Sequence, residues 1–291
     1  MTRTEKENLV PVWERITTCR SHAHSTWDWK AFEMSGLMFD DFRRVKRGEV
    51  AGYSGIGRRE EQQDVGYITV NDSELLAFVC DGMGGMNGGS LASATAAKMF
   101  LNCCVEGAAR GGPCLREAAE AADDAVYHLR NKQGERMGCG TTLTAVRVDN
   151  KALTWVSVGD SRAYLLRGEE LVQITTDHNY FLELNQALER GNIDEKKYRA
   201  EAVSGEALIS FLGAGGLPLI DVSKEPFPLF PGDILLLCTD GVYRTLSNQT
   251  LRQLLRTAQN MEQACMDIAD AIEYANQEHQ DNYTYILIQI L

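Results

Sequence analysis

Three short, predominantly apolar runs each meet an aspartate at one end. Residues 75–80 (LLAFVC) lead straight into Asp81, residues 234–238 (ILLLC) lead through Thr239 into Asp240, and residues 283–291 (YTYILIQIL) follow Asp281 and Asn282. Apolar runs this short, bounded by Gly, Asp and Asn, read as strands in the core of a sheet. A fourth aspartate, Asp160, lies in Gly159-Asp160-Ser161 between two further strand patterns, 152–158 and 162–168, which read as two strands joined by a tight turn. A single Asp-Gly pair is an ordinary turn signal. Four aspartates at strand ends are a more restrictive pattern, because strand ends bring residues distant in sequence to one rim.

Helical spacing marks four other segments. In residues 90–105, Ala92, Ala96, Met99 and Cys103 form a stripe. In residues 114–131, Leu115, Ala118, Ala122, Val126 and Leu129 do the same. Ser247 is placed to cap a helix carrying Leu251, Leu254 and Leu255. Asn260 with Gln263 resembles a capping box before Ile268 and Ile272. Two helices come early and two late, with strands between, which is not a βαβα alternation. The expected fold class is α+β, a central antiparallel β-sandwich flanked by helix pairs in four layers.

Carboxylates gathered at one rim repel unless cations neutralise them. Hard oxygen ligands without His or Cys suit Mg²⁺ or Mn²⁺ rather than zinc. Gly82, Gly84 and Gly85 allow the backbone to approach a metal or phosphate closely. The net charge of −12 excludes a basic footprint for nucleic acid, while leaving room for a local site for one phosphate. The eight cysteines form no C-x-x-C pair, and several lie inside apolar runs, so buried free thiols are expected. No stretch approaches the ~18 apolar residues of a membrane span, and MTRTEKENLV has no apolar signal core, so a cytoplasmic protein without membrane insertion is expected.

Taken in order, the motifs resemble those of the type 2C metal-dependent Ser/Thr protein phosphatases, in their compact bacterial form. The matching segments are 57–64 (GRREEQQD), 81–85 (DGMGG), 138–142 (GCGTT), 159–163 (GDSRA), 176–179 (TDHN), 209–213 (ISFLG), 239–241 (TDG) and 281–284 (DNYT). The resemblance covers about residues 50–291 and implies the sandwich fold inferred above. It implies that Asp81 bridges two metal ions, with the Gly82 carbonyl on one of them, and that Asp240 and Asp281 complete the inner ligands. Asp64 would act through water, and Asp160 would hold a third, weaker ion shared with Asp240. Arg59 matches the phosphate-binding arginine, its spacing before Asp64 fitting better than that of Arg58. The implied reaction is hydrolysis of phosphoserine and phosphothreonine in proteins by water activated between two Mn²⁺ or Mg²⁺ ions, with no phosphoenzyme. A cognate Ser/Thr kinase and a monomeric state are the expected partners and assembly.

Two positions depart from the family pattern. Gln63 replaces the acidic residue usual before Asp64, and Met83 stands where many members carry a His. These departures frame the alternative: a weak pseudophosphatase that uses the fold as a binding or regulatory module. The survival of Asp81, Asp240 and Asp281 favours the enzyme. Residues 49–291 are read as the catalytic domain, with a helical flap at about 179–210. Residues 1–48 are read as an N-terminal extension whose Trp13, Trp27 and Trp29 pack on that domain. His178 is expected to be structural, and Cys19, His22 and His24 lack a fourth zinc ligand.

Overall fold

The computed structural model describes residues 48–70, 74–84, 88–108 and 115–291. The expectations for Trp13, Trp27, Trp29, Cys19, His22 and His24 lie outside these residues, as does Gly85.

Among the described residues, twelve strands form two main sheets and their short additions. The first contains β1 (Gly48–Gly55), β7 (Arg162–Arg167), β8 (Glu170–Gln173), β11 (Ile234–Cys238) and β12 (Tyr283–Ile290), in the order β1-β12-β11-β7-β8. The second contains β2 (Asp64–Val70), β3 (Glu74–Met83), β5 (Leu143–Asp149), β6 (Ala152–Val158) and β10 (Phe227–Pro228), in the order β10-β6-β5-β3-β2. The short strands β4 (Gly140–Thr141) and β9 (Asp221–Val222) pair with β3 and β6. All of these pairings are antiparallel.

The apolar runs are continuous because both faces of each central strand are buried. In β11, Leu235 and Leu237 join Ala77, Val79, Ile286 and Ile288 in a core between the two sheets. The alternate residues Ile234, Leu236 and Cys238 point the other way, into a core shared with helices. Those helices are α6 (Asn248–Thr257) and α7 (Met261–Ala275), preceded by the single turn α5 (Asp240–Tyr243). On the far side, Leu76, Phe78 and Cys80 of β3 pack with α1 (Gly88–Ala108) and α2 (Leu115–Tyr127). Three cores therefore separate four layers, α-β-β-α, as the sequence led us to expect.

Ser247 Oγ accepts the Thr250 amide at 3.1 Å, so the α6 cap is as inferred. At α7 the box is one-sided. Asn260 Oδ1 accepts the Gln263 amide at 2.8 Å, but the Gln263 side chain turns forward to Asp267. The stripe read along α1 is displaced: Ala92 and Ala96 are buried, but the next inward residues are Phe100 and Cys104, with Met99 and Cys103 at the margin.

One turn has a different meaning from the one expected. Residues 159–161 join β6 to β7, yet the two strands do not pair; the chain crosses there from one sheet to the other. Gly159 makes the crossing possible. Its φ is +99°, and a Cβ would lie 2.6 Å from Thr142 Cγ2.

The flap lies between β8 and β9 and holds α3 (Tyr180–Glu189) and α4 (Glu195–Glu201). Asp194 caps α4 by accepting the Lys197 amide at 2.7 Å. The flap returns to its root through the isolated bridge Asn179↔Leu208.

Candidate active site

The antiparallel register brings the start of β2, the end of β3, the end of β11 and the start of β12 to one rim. Asp64 and Asp81 are direct partners across β2 and β3. Asp240 opens α5 just beyond β11, Asp281 precedes β12, and Asp160 lies in the crossover. A cleft of about 920 Å³ opens there. Its lining includes Asp81, Gly82, Asp160, Asp240, Asp281 and Arg59. Asp64 is 2% exposed and forms the floor beneath.

A threonine ties the two sheets together under this floor. The Thr239 hydroxyl donates to Asp64 Oδ2 at 2.8 Å, and the Thr284 amide donates to Thr239 Oγ1 at 2.9 Å. The Asp81 amide donates to Thr142 Oγ1 at 2.9 Å, and Thr142 is joined to Ser161 at 2.7 Å. Gly82 has no room for a side chain, since a Cβ would meet the Gly89 carbonyl oxygen at 2.1 Å. The glycine therefore lets α1 start against the end of β3.

The electrostatics of the floor are unfavourable for carboxylates alone. Burial first, then the charges of neighbours, holds Asp81 well above the usual range; those neighbours are Asp64, Asp240, Asp160 and Asp281. Asp64 is pushed up to about 8, chiefly by burial, with Asp240 adding to it and the Thr239 hydrogen bond opposing it. Burial also raises Asp240, against the pull of Arg244. Asp64 Oδ1 and Asp240 Oδ1 are buried without a hydrogen-bond partner. Orphaned buried carboxylate oxygens call for a cation, and an all-oxygen donor set fits a hard divalent ion.

The cluster is open rather than a closed cage. Among the described residues, no group of three His, Cys, Asp or Glu side chains has closed on a common point. Two arginines account for part of this. Arg59 Nη2 donates to Asp281 Oδ2 at 2.7 Å. Arg244 Nε lies 3.0 Å from Asp240 Oδ2. Arg58 turns away from the cleft, to Asn276 Oδ1 at 2.7 Å, so of these two adjacent arginines Arg59 is the one that lines it.

Other residues have clear positions. Met83 and Gln63 line the cleft. The Gln63 amide group donates to Glu61 Oε2 at 3.3 Å, so a carboxylate stands two residues away from where one was expected. His178 is buried, its pKa is lowered by that burial, and its Nδ1 accepts the Gly159 amide at 3.3 Å. It holds the crossover and is a structural residue. Burial pushes the thiols of Cys80 and Cys238 up, away from any nucleophilic use.

Sequence reasoning missed three charged residues. Arg244 contacts Asp160, Asp240 and Glu206. Glu206 brings the flap to the cleft. Asp123, buried on α2, accepts backbone amides from Gly213 and Gly216 at 2.7 Å each. The Asp240–Arg244 spacing of four residues was a legible helical ion-pair signal.

Known proteins share this architecture. A family model described as protein phosphatase 2C matches residues 51–275. The serine/threonine phosphatase stp of Listeria monocytogenes is 28% identical over 252 residues, which cover 84% of this chain and 94% of that protein. The crystal structure of the Mycobacterium tuberculosis serine/threonine phosphatase PstP/Ppp superposes with a TM-score of 0.68 at 24% identity, over 84% of this chain and 98% of that one. A structure of the PstP catalytic domain in complex with two manganese ions gives a TM-score of 0.64 at 24% identity, over 84% and 99%.

Proposed function

The chain belongs to the protein phosphatase 2C family, and we propose that it is a metal-dependent phosphatase for phosphoserine and phosphothreonine in proteins. The observation that carries this reading is the rim of mutually raised aspartates with two orphaned oxygens, Asp64 Oδ1 and Asp240 Oδ1. Asp81, the Gly82 carbonyl, Asp240 and Asp281 are the proposed inner ligands of two Mn²⁺ or Mg²⁺ ions, with Asp64 acting through water. Bound there, divalent cations supply Lewis-acid activation of water and neutralise phosphate charge.

The chain's own residues provide the rest. Arg59 is the phosphate anchor. Its guanidinium suits bidentate contact with phosphate oxygens. The Arg59–Asp281 pair is partly exposed on both sides, so its exchange for a phosphate is cheap. The Thr239 hydroxyl holds Asp64 in one orientation. Glu206 and Leu208 on the flap form one wall of the cleft and are placed to influence which phosphorylated segment enters. Met83 brings no proton donor to the leaving oxygen.

Several finer points belong to the same reading. Residues 49–291 are the catalytic domain and 1–48 an extension. A Ser/Thr kinase supplies the substrates, and the enzyme works as a monomer in the cytoplasm. Among the described residues no helix is long and apolar enough to cross a membrane. The test is hydrolysis of p-nitrophenyl phosphate and a phosphothreonine peptide, with Mn²⁺ and with chelator. Turnover that survives chelation overturns the mechanism. Folded protein that binds Mn²⁺ without turning over either substrate favours the pseudophosphatase.

A further inference from the structure

We propose that Arg244 takes the place of a third metal ion, as a fixed cation between Asp160, Asp240 and the flap. This rests on the two-ion reading of the core and concerns the outer carboxylate pair alone.

Each nitrogen of the Arg244 guanidinium meets a different carboxylate. Nε lies 3.0 Å from Asp240 Oδ2, Nη1 2.7 Å from Glu206 Oε2, and Nη2 3.5 Å from Asp160 Oδ2. The geometry is built in. Arg244 follows the single turn α5 that begins with Asp240, so the two side chains lie one above the other on that turn. The neighbouring Tyr243 hydroxyl donates to the backbone oxygen of Asp160 at 3.1 Å and stands 3.2 Å from its Oδ2. Tyr243 is held in turn under Arg162, whose guanidinium carbon sits 3.5 Å from the ring centroid. Arg162 is fixed by paired bonds to Asp177.

The contrast with the core is what decides the assignment. Asp64 Oδ1 and Asp240 Oδ1 have no partner, whereas Asp160 Oδ2 and Asp240 Oδ2 already share a cation. A buried carboxylate pair that shares a guanidinium has no call for a further ion. An incoming ion would have to expel a positive charge held by three carboxylates. Arg59 differs, because it contacts one carboxylate and is itself largely exposed. The family resemblance leads one to expect a third ion at Asp160. These residues do not fit it.

Arg244 also replaces a soluble ligand by a tethered one. A third ion would leave and return with metal concentration. The guanidinium remains, and it joins the catalytic floor to Glu206 on the flap whether or not metal is present.

The test is Mn²⁺ stoichiometry of the full chain by equilibrium dialysis, with free Mn²⁺ read by electron paramagnetic resonance, into the millimolar range. Wild type should bind two ions, and Asp160→Asn in the wild-type background should still bind two. Arg244→Ala should gain a third, weaker ion, which Arg244→Ala/Asp160→Asn loses; Arg244→Lys, which keeps the charge, should stay at two. A third ion in wild type that Asp160→Asn removes overturns the proposal. So does a folded Arg244→Ala that binds no more than wild type. If Arg244→Ala does not fold, the wild-type and Asp160→Asn counts alone still decide between the two outcomes. Wild type that binds no ion overturns the two-ion reading itself, a distinct result.

Discussion

Asp64 and Asp81 face each other as register partners across β2 and β3, two like charges on one face of an antiparallel pair. Like charges directly opposite destabilise a strand pair, and here both groups are crowded further by Asp240 and Asp281. Neither carboxylate has an arginine partner among the ion pairs of the described residues; the arginines reach Asp281, Asp240 and Asp160 instead. The fold therefore holds an unfavourable pair at its centre, which cations bound as proposed would relieve.

Replacing one member should expose that cost. Asp64→Asn keeps the acceptor for Thr239 and removes a carboxyl group that burial and its neighbours penalise when it ionises. In the presence of chelator it should raise stability by about 1 kcal/mol, or ~2–4 °C in melting temperature. The same variant should show a smaller thermal shift on adding Mn²⁺ and lower phosphatase activity. Thermal melts with and without Mn²⁺ check both halves, and a lower chelated melting temperature would count against the like-charge account.

The same crowding sets a pH dependence. Asp64 is raised to about 8 in the fold from an ordinary 3.8. Between those values the folded state holds a proton that the unfolded chain has released. Stability of the chelated protein should therefore fall as pH rises from about 4 to about 8. Saturating Mn²⁺ should flatten or reverse this slope, since cations favour the ionised form. Urea denaturation at pH 5 and pH 8, with and without metal, measures it.

The two adjacent arginines should separate cleanly. Arg59→Ala should lower kcat/KM for a phosphopeptide by roughly 10- to 100-fold, the worth of one charged hydrogen-bonded contact. Arg58→Ala should leave it nearly unchanged, because Arg58 is committed to Asn276 outside the cleft. Equal losses in both variants would undo the assignment of Arg59.

Gln63 offers a gain-of-function test. Gln63→Glu places a second carboxylate beside Glu61, with which Gln63 now shares a hydrogen bond. The Mn²⁺ concentration for half-maximal activity should fall, and the chelated protein should become less stable through the added repulsion. An unchanged metal requirement would mean that Glu61 already supplies what the glutamine lacks.

Much of this was legible because burial on both faces leaves a plain mark. Residues 75–80 and 234–238 are apolar throughout and 283–290 nearly so, with Thr284 the buried exception, and their flanking aspartates could be read as strand ends. What stayed hidden depends on contacts between distant segments. Residues 152–158 and 162–168 flank a tight turn whether they pair or cross between sheets, and only the sheet order distinguishes the two. On α1 the apolar residues are dense enough that two overlapping stripes fit the sequence, and the sheet selected the one through Phe100. Arg244 is legible only as a helical partner of Asp240 until Asp160 and Glu206, far away in sequence, are brought to it.

Asp123 illustrates the same blindness and gives a prediction about stability rather than catalysis. In the sequence it is half of an Asp123-Asp124 pair on a polar-looking helix. In the fold its Oδ1 accepts the Gly213 amide and, more weakly at 3.4 Å, that of Gly215, while Oδ2 accepts the Gly216 amide. Gly213, Gly215 and Gly216 all have positive φ and lie outside the strands and helices, and Asp123 takes up their amides. Asp123→Ala leaves these donors stranded beside a buried position and should cost about 3 kcal/mol. The proposed metal ligands are on other elements, so Mn²⁺ affinity of the folded fraction should stay within a few-fold of wild type. Asp123→Asn, which preserves one acceptor oxygen, should recover part of the loss. Chemical denaturation paired with Mn²⁺ titration separates the two effects; loss of metal binding without loss of stability would place Asp123 in the site rather than in its support.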